Sequence, residues 1–171
     1  MDKSSIKKEF TEKVMDVQGI IHKVCRIYCD EEEQRKDLFQ EILIHLWKAY
    51  PGFKGESKFS TWIYRISLNV VFQHFRKQKR KPVEETLSDE HERITEQNDR
   101  PLHNDEVKIL HHAIGRLNDI EKAIVMLYLE EKGYEEIAEI TGITRNYVRV
   151  RMNRIKIKLG KLMKPLANGA H

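Results

Sequence analysis

Residues 132–164 read KGYEEIAEITGITRNYVRVRMNRIKIKLGKLMK, and this stretch decides the fold of the C-terminal half. Tyr134 to Thr141 is short and helical in pattern, with Ile137, Ala138 and Thr141 on one face. Gly142 follows where a helix ends in a left-handed residue, a conformation that glycine adopts without a Cβ penalty. Thr144 stands one residue before the next periodic run, where its hydroxyl can cap free amides. Two short helices joined by a Gly-containing turn are a helix-turn-helix. In the second helix Val148, Met152, Ile155, Leu159 and Leu162 recur at spacings of four, three, four and three, one continuous apolar stripe.

The remaining faces of that helix carry Arg145, Arg149, Arg151, Arg154, Lys156, Lys158, Lys161 and Lys164, eight cations with no acidic residue among them. Such a helix fits the major groove, its early residues at base edges and its cations at phosphates. Arg145, Asn146, Tyr147, Arg149 and Val150 are the base-edge candidates, since Arg and Asn offer bidentate groups and Val meets a thymine methyl. The bland alternative is a solvated basic helix on a small bundle. A basic helix alone would not separate the two, but Gly142, Thr144 and the one-sided charge favour a DNA-reading helix.

The whole chain has 171 residues and a formal charge of +4, room for one large domain or two small ones. No stretch approaches the roughly 18 consecutive apolar residues of a membrane span, so no stable membrane insertion is expected. The N-terminal MDKSSIKKEF lacks the apolar core of a secretory signal. Two cysteines are too few for a disulfide framework and suit a reducing compartment. The reading is a cytoplasmic protein. With eight Gly, four Pro and helical spacing almost throughout, the fold class is all-α.

Ile6, Phe10, Val14, Val17, Ile21, Val24 and Tyr28 predict a long amphipathic helix from about Ser4 to Cys29. His22, Cys25 and Cys29 lie near one face of it, but tetrahedral zinc wants four ligands and no fourth is near. The thiols are therefore read as buried or half-buried rather than as a metal or redox site, and no metal or cofactor is expected. A second helix opens at acidic Asp30–Glu33 and runs through DLFQEILIHLWKAY, with Leu38, Ile42 and Leu46 inward and Asp37, Gln40, Glu41 and Lys48 outward. Glu41 and His45 are four apart, which invites an acid–base reading. No further convergent group supports it, and a helix surface that docks a partner is more economical.

The loop PGFKGESKF leads to a third helix, with Ser60 expected as its cap. Ile63, Ile66 and Val70 face inward; Trp62, Arg65, Asn69, Gln73 and Arg76 share a neighbouring face. Aromatic and amide groups followed by cations can stack bases and hold the backbone of opened DNA. The competing reading is that Trp62, Tyr64 and Phe72 are simply core. Residues 82–106 then carry nine acidic residues against Arg93 and Arg100, a net charge of −7, with few large apolar residues. This is an expected flexible linker, poorly able to bury a core. Two further helices, Asp105–Leu117 and Asp119–Glu131, precede the helix-turn-helix. The expected plan is a helical domain over 1–81, an acidic linker over 82–105 and a helix-turn-helix domain over 106–171.

Four segments in this order resemble a bacterial extracytoplasmic-function (ECF) sigma factor, and the resemblance covers nearly the whole chain. DLFQEILIHLW is similar to the family's polymerase-docking segment, and FKGESKFSTWIYRISLN to its promoter-melting and minus-ten segment. LNDIEKAIVMLY and YEEIAEITGITRNYVRVR resemble its minus-thirty-five reader. The resemblance implies that Asp37, Gln40 and Glu41 contact core RNA polymerase. It implies a pocket for a flipped base in the Lys54–Phe59 loop, so Lys54, Ser57, Lys58, Trp62, Arg65, Asn69 and Arg76 form the minus-ten set. Thr144, Arg145, Asn146, Tyr147, Arg149, Arg151 and Arg154 form the minus-thirty-five set. Ser67-Leu68 stands where the family more often has Ala-Arg, and Tyr147 where Gly or Thr is usual. The implied partners are core polymerase, promoter DNA and an anti-sigma factor, and the implied mechanism has no covalent chemistry. The rival readings are a polymerase-independent helix-turn-helix regulator and a helical enzyme around Glu41, His45 or His111-His112. No nucleophile–base pair, phosphate loop or metal spacing supports the enzyme.

Overall fold

The computed structural model describes residues 2–80 and 105–168, with side chains as far as Pro165. The expected linker therefore lies outside the described residues, apart from Asp105. Helices are α1 (Lys3–Tyr28), α2 (Glu32–Ala49), α3 (Phe59–Arg80), α4 (Asp105–Gly115), α5 (Asp119–Leu129), α6 (Tyr134–Thr141) and α7 (Arg145–Asn168), with one 3-10 turn at Tyr50–Gly52. No strand occurs among the described residues, so the chain is all-α as expected. They form two compact units, one from 2–56 and 66–80, the other from 57–65 and 105–168.

In the first unit, the short connection over Cys29–Glu31 forces α2 back along α1 as an antiparallel neighbour. The ring contacts follow that direction. Phe10 meets Trp47 edge-on at 5.1 Å and Tyr50 at 5.2 Å, while His22 stacks on Phe39 at 4.5 Å. Phe10, Val14, Ile21, Val24, Leu38, Ile42 and Leu46 are buried in this seam. From α3, Leu68, Val70 and Val71 are buried, and Tyr28 packs against Phe72 and Phe75. Both thiols are buried, and desolvation, with Cys29 beside it, pushes the Cys25 pKa up to about 12.

Ser60 does not cap α3. The Trp62 amide donates to the Lys58 carbonyl at 3.1 Å, which makes Lys58 the cap residue and places Ser60 inside the first turn. Ser67 is fully buried, and its hydroxyl has no hydrogen-bond partner among the described residues.

In the second unit α5 starts with a full capping box. Asn118 Oδ1 accepts from the Glu121 amide at 2.9 Å, and Glu121 Oε2 accepts from the Asn118 amide at 3.2 Å. Its far end closes with Lys132 N–H on the Leu127 carbonyl and Glu131 N–H on the Tyr128 carbonyl. That pair is a Schellman motif, and its left-handed position is filled by Glu131 at φ +59°. Helix α6 ends as the sequence predicts, with Gly142 at φ +76° and its N–H on the Ala138 carbonyl. Ile140 joins Ile137 as the buried pair of α6, whereas Ala138 and Thr141 are only half-buried. Beneath α7 lie Val148, Met152 and Ile155, fully buried, continued by half-buried Leu159 and Leu162.

Candidate nucleic-acid interface

The start of α7 is fixed by Thr144, whose Oγ1 accepts from the Tyr147 amide at 3.1 Å. With Val148, Met152 and Ile155 inward, helical spacing turns Arg145, Asn146, Arg149, Asn153, Arg154 and Lys156 outward, and all six are exposed. Val150 is half-buried. Arg149 Nη2 donates to Asn146 Oδ1 at 3.0 Å, which orients both groups on one face one turn into the helix. Arg145 pairs with Glu135 at 3.2 Å, but both side chains are mostly exposed, so that pair holds little and yields readily to a phosphate.

Arg151 is placed differently. Its Nε donates to Tyr147 Oη at 2.7 Å, its guanidinium lies 5.0 Å from the Tyr147 ring centre, and its Nη1 is 3.7 Å from Glu121 Oε1. Lys158 also turns to Glu121, at 3.1 Å. Two cations that the sequence assigns to phosphates thus face an internal carboxylate. Asn153, which is outside the expected set, stands four residues after Arg149 on the same exposed face.

The minus-ten set is spread over the loop and one side of α3. Lys54, Lys58, Asn69 and Arg76 are exposed, while Ser57, Trp62 and Arg65 are half-buried. Gly55 at φ +74° makes the loop's turn possible. Trp62 stacks on Phe59 at 5.4 Å. Within the second unit, Thr61 Oγ1 donates to Glu136 at 3.2 Å and Arg65 Nη2 to Glu139 at 3.0 Å. Asn69 and Gln73 line an open cavity of about 220 Å³ in the first unit, together with His45, Ala49, Ile66 and Val70. Exposed Lys77, Lys79 and Arg80 extend the basic end of α3 beyond Arg76.

On α2, Asp37 and Gln40 are exposed and Glu41 is partly so. Glu41 does not turn to His45; its Oε2 lies 3.1 Å from His74 Nδ1, whose other ring nitrogen is 3.0 Å from Gln78 Nε2. Ile44, 52 % exposed, continues the same face one turn on. No cluster of metal-ligating side chains occurs among the described residues, and no described helix is long and apolar enough to cross a membrane.

Comparison with known proteins gives these surfaces a context. Residues 14–81 match the family described as sigma-70 region 2, and residues 108–159 match sigma-70, region 4. The chain is 30% identical to the ECF RNA polymerase sigma-E factor of Haemophilus influenzae, over 76% of this chain and 75% of that one. It is 26% identical to the RNA polymerase sigma-H factor of Pseudomonas aeruginosa, over 96% and 91% of the two chains. Among solved structures, it shares its fold with the sigma factor RpoE of Bartonella quintana in complex with the anti-sigma factor NepR. There the TM-score is 0.70 and the identity 19%, over 92% of this chain and 98% of that one. CnrH in complex with the cytosolic domain of CnrY follows at TM-score 0.66 and 18% identity, over 93% and 90%.

Proposed function

The chain belongs to the ECF family of RNA polymerase sigma factors, non-enzymatic initiation factors that bind core polymerase and direct it to promoters, and from that premise we propose which surface meets which partner. Asp37, Gln40 and Glu41, with exposed Ile44 beside them, dock on core polymerase. The loop from Lys54 to Lys58 and the face of α3 bearing Trp62, Arg65, Asn69 and Arg76 open and read the minus-ten element. Thr144, Arg145, Asn146, Tyr147, Arg149, Arg151 and Arg154 read or support the reading of the minus-thirty-five element. Functionally the chain divides at 1–81 and 106–171, the acidic stretch between them acting as a spacer.

The observation that carries this assignment is α7, whose apolar stripe is buried while Arg145, Asn146, Arg149, Asn153 and Arg154 are exposed along the opposite side. Cations that reach phosphates supply affinity for any sequence, and Asn146 and Arg149 supply base discrimination. Melting needs no covalent step. A base extruded into the loop after Phe53 costs a few kcal/mol of unstacking, recovered by contacts that duplex DNA does not offer. No enzymatic activity is assigned to the chain. It acts in the cytoplasm, where polymerase and promoter DNA are found. An anti-sigma factor is its regulator, a reading supported by the Bartonella quintana neighbour above, a sigma factor in complex with an anti-sigma factor. A polymerase-independent regulator is not favoured, because it leaves the region 2 match unexplained.

The test is promoter selection by reconstituted holoenzyme. Arg149→Ala should relax preference at one upstream base, a loss of roughly 1–3 kcal/mol if the contact is bidentate to guanine. Exchanging Lys54, Ser57 and Lys58 should change only the downstream preference. If both variants select the wild-type promoters, the assignment of these two surfaces is wrong.

A further inference from the structure

Glu121 lies at the start of α5, outside every surface assigned above, and its side chain is only 8% exposed. A buried carboxylate needs compensation by hydrogen bonds and opposite charge. It receives the Asn118 amide at 3.2 Å, Lys158 Nζ at 3.1 Å and, more loosely, Arg151 Nη1 at 3.7 Å. Arg151 in turn donates from Nε to Tyr147 Oη at 2.7 Å and covers the Tyr147 ring. The chain of contacts runs from a buried acid on α5, through one guanidinium, to an exposed phenol in the first turn of α7.

We propose that Glu121 is a positioning residue which, through Arg151, sets Tyr147 as a specificity-determining donor toward a base edge of the upstream element. The chemistry of the phenol fixes the kind of base group it meets. Tyr147 Oη already accepts from Arg151, so its own O–H is left to donate. The ring is 39% exposed and immobilised beneath the guanidinium, which lowers the entropy lost on binding. In the major groove a single outward donor suits purine N7, guanine O6 or thymine O4, and is repelled by the amino groups of adenine N6 and cytosine N4. Glu121 has a second effect. By holding Arg151 and Lys158 it withdraws two cations from the phosphates and so favours sequence-dependent over sequence-independent binding.

This rests on the placement of α7 in the upstream element proposed above. The experiment uses holoenzyme reconstituted from core polymerase and the full chain, bound to a duplex library randomised over that element. It compares Glu121→Gln, Tyr147→Phe and Arg149→Ala. Glutamine still accepts the Asn118 amide, so the cap survives while the charge is lost. In Glu121→Gln the slope of log affinity against log salt should steepen by about 0.9 for each cation released to a phosphate, up to about 1.8 for both. Preference at one upstream position should fall roughly three- to tenfold, the worth of one hydrogen bond, and at the same position in Tyr147→Phe. A purely structural cap would move neither quantity. If Glu121→Gln leaves slope and preference unchanged while Arg149→Ala alters the profile, the proposal is overturned and Glu121 is only a cap. If Arg149→Ala also leaves the profile unchanged, the placement of α7 fails and the proposal with it. Should Glu121→Gln not fold, as judged by circular dichroism, exposed Tyr147→Phe decides alone: an unaltered profile overturns the role given to the phenol.

Discussion

Replacing Glu131 by glycine should stabilise the protein, although it removes a charged surface side chain. Glu131 occupies the left-handed position of the Schellman motif at the end of α5, with φ +59°. An L-residue there brings Cβ against the following carbonyl, at a cost of roughly 1–2 kcal/mol. Glycine removes that strain but loses more backbone freedom on folding, which returns about 0.5–1 kcal/mol. The net expectation is a stabilisation of about 0.5–1 kcal/mol. For a unit of this size, that raises Tm by roughly 2–8 °C. The assay is urea and thermal unfolding of wild type, Glu131→Gly and Glu131→Ala, followed by far-UV circular dichroism. Alanine keeps Cβ and hence the strain, so it should stay within about 0.5 kcal/mol of wild type. Equal effects of glycine and alanine, or destabilisation by glycine, would refute the backbone-strain argument.

Three further predictions concern the first unit. Ser67→Ala should stabilise by about 1 kcal/mol in urea unfolding, because it removes a buried hydroxyl that lacks a partner and adds a better helix former. Burial raises the Cys25 pKa from 9.0 to about 12, so above pH 9 the unfolded chain loses this proton before the folded one. Its contribution is therefore fully present below pH 9 and declines as pH rises toward 12; Cys25→Ala should flatten that decline in unfolding midpoints measured against pH. It should do so only in part, since Tyr64 of the second unit, buried and also pushed up to about 12, gives the whole chain a decline of the same sign. Charge reversal of Asp37 and Glu41 together should weaken core polymerase binding at least tenfold in a titration, with helix content by circular dichroism unchanged; undiminished affinity would discard the docking strip.

Much of the fold was legible because helical periodicity needs only the local sequence. The stripe from Val148 to Ile155 and the turn at Gly142 and Thr144 each follow from residue type and spacing, and each is found as expected. The start of α3 was misread because a serine near a helix start looks like a cap whichever residue's carbonyl closes the first turn; here Lys58 does. What local reasoning could not reach were pairings across the fold. Glu41 had a sequence neighbour, His45, at helical spacing, yet its partner is His74, 33 residues away. Lys158 lies on a helix that reads as uniformly basic, and only packing brings it to Glu121, 37 residues earlier. Charge patterning identifies the basic helix; the packing decides which of its cations are turned outward.

Whether this chain confers promoter recognition on polymerase is decided by transcription from a randomised promoter library. Core polymerase alone should give background transcript, and core with the full chain should transcribe templates enriched in two separated sequence blocks, with permanganate-reactive thymines at the downstream one. If core polymerase gains no transcription while the chain alone binds the same upstream sequences as duplex, the chain is a polymerase-independent regulator and not a sigma factor.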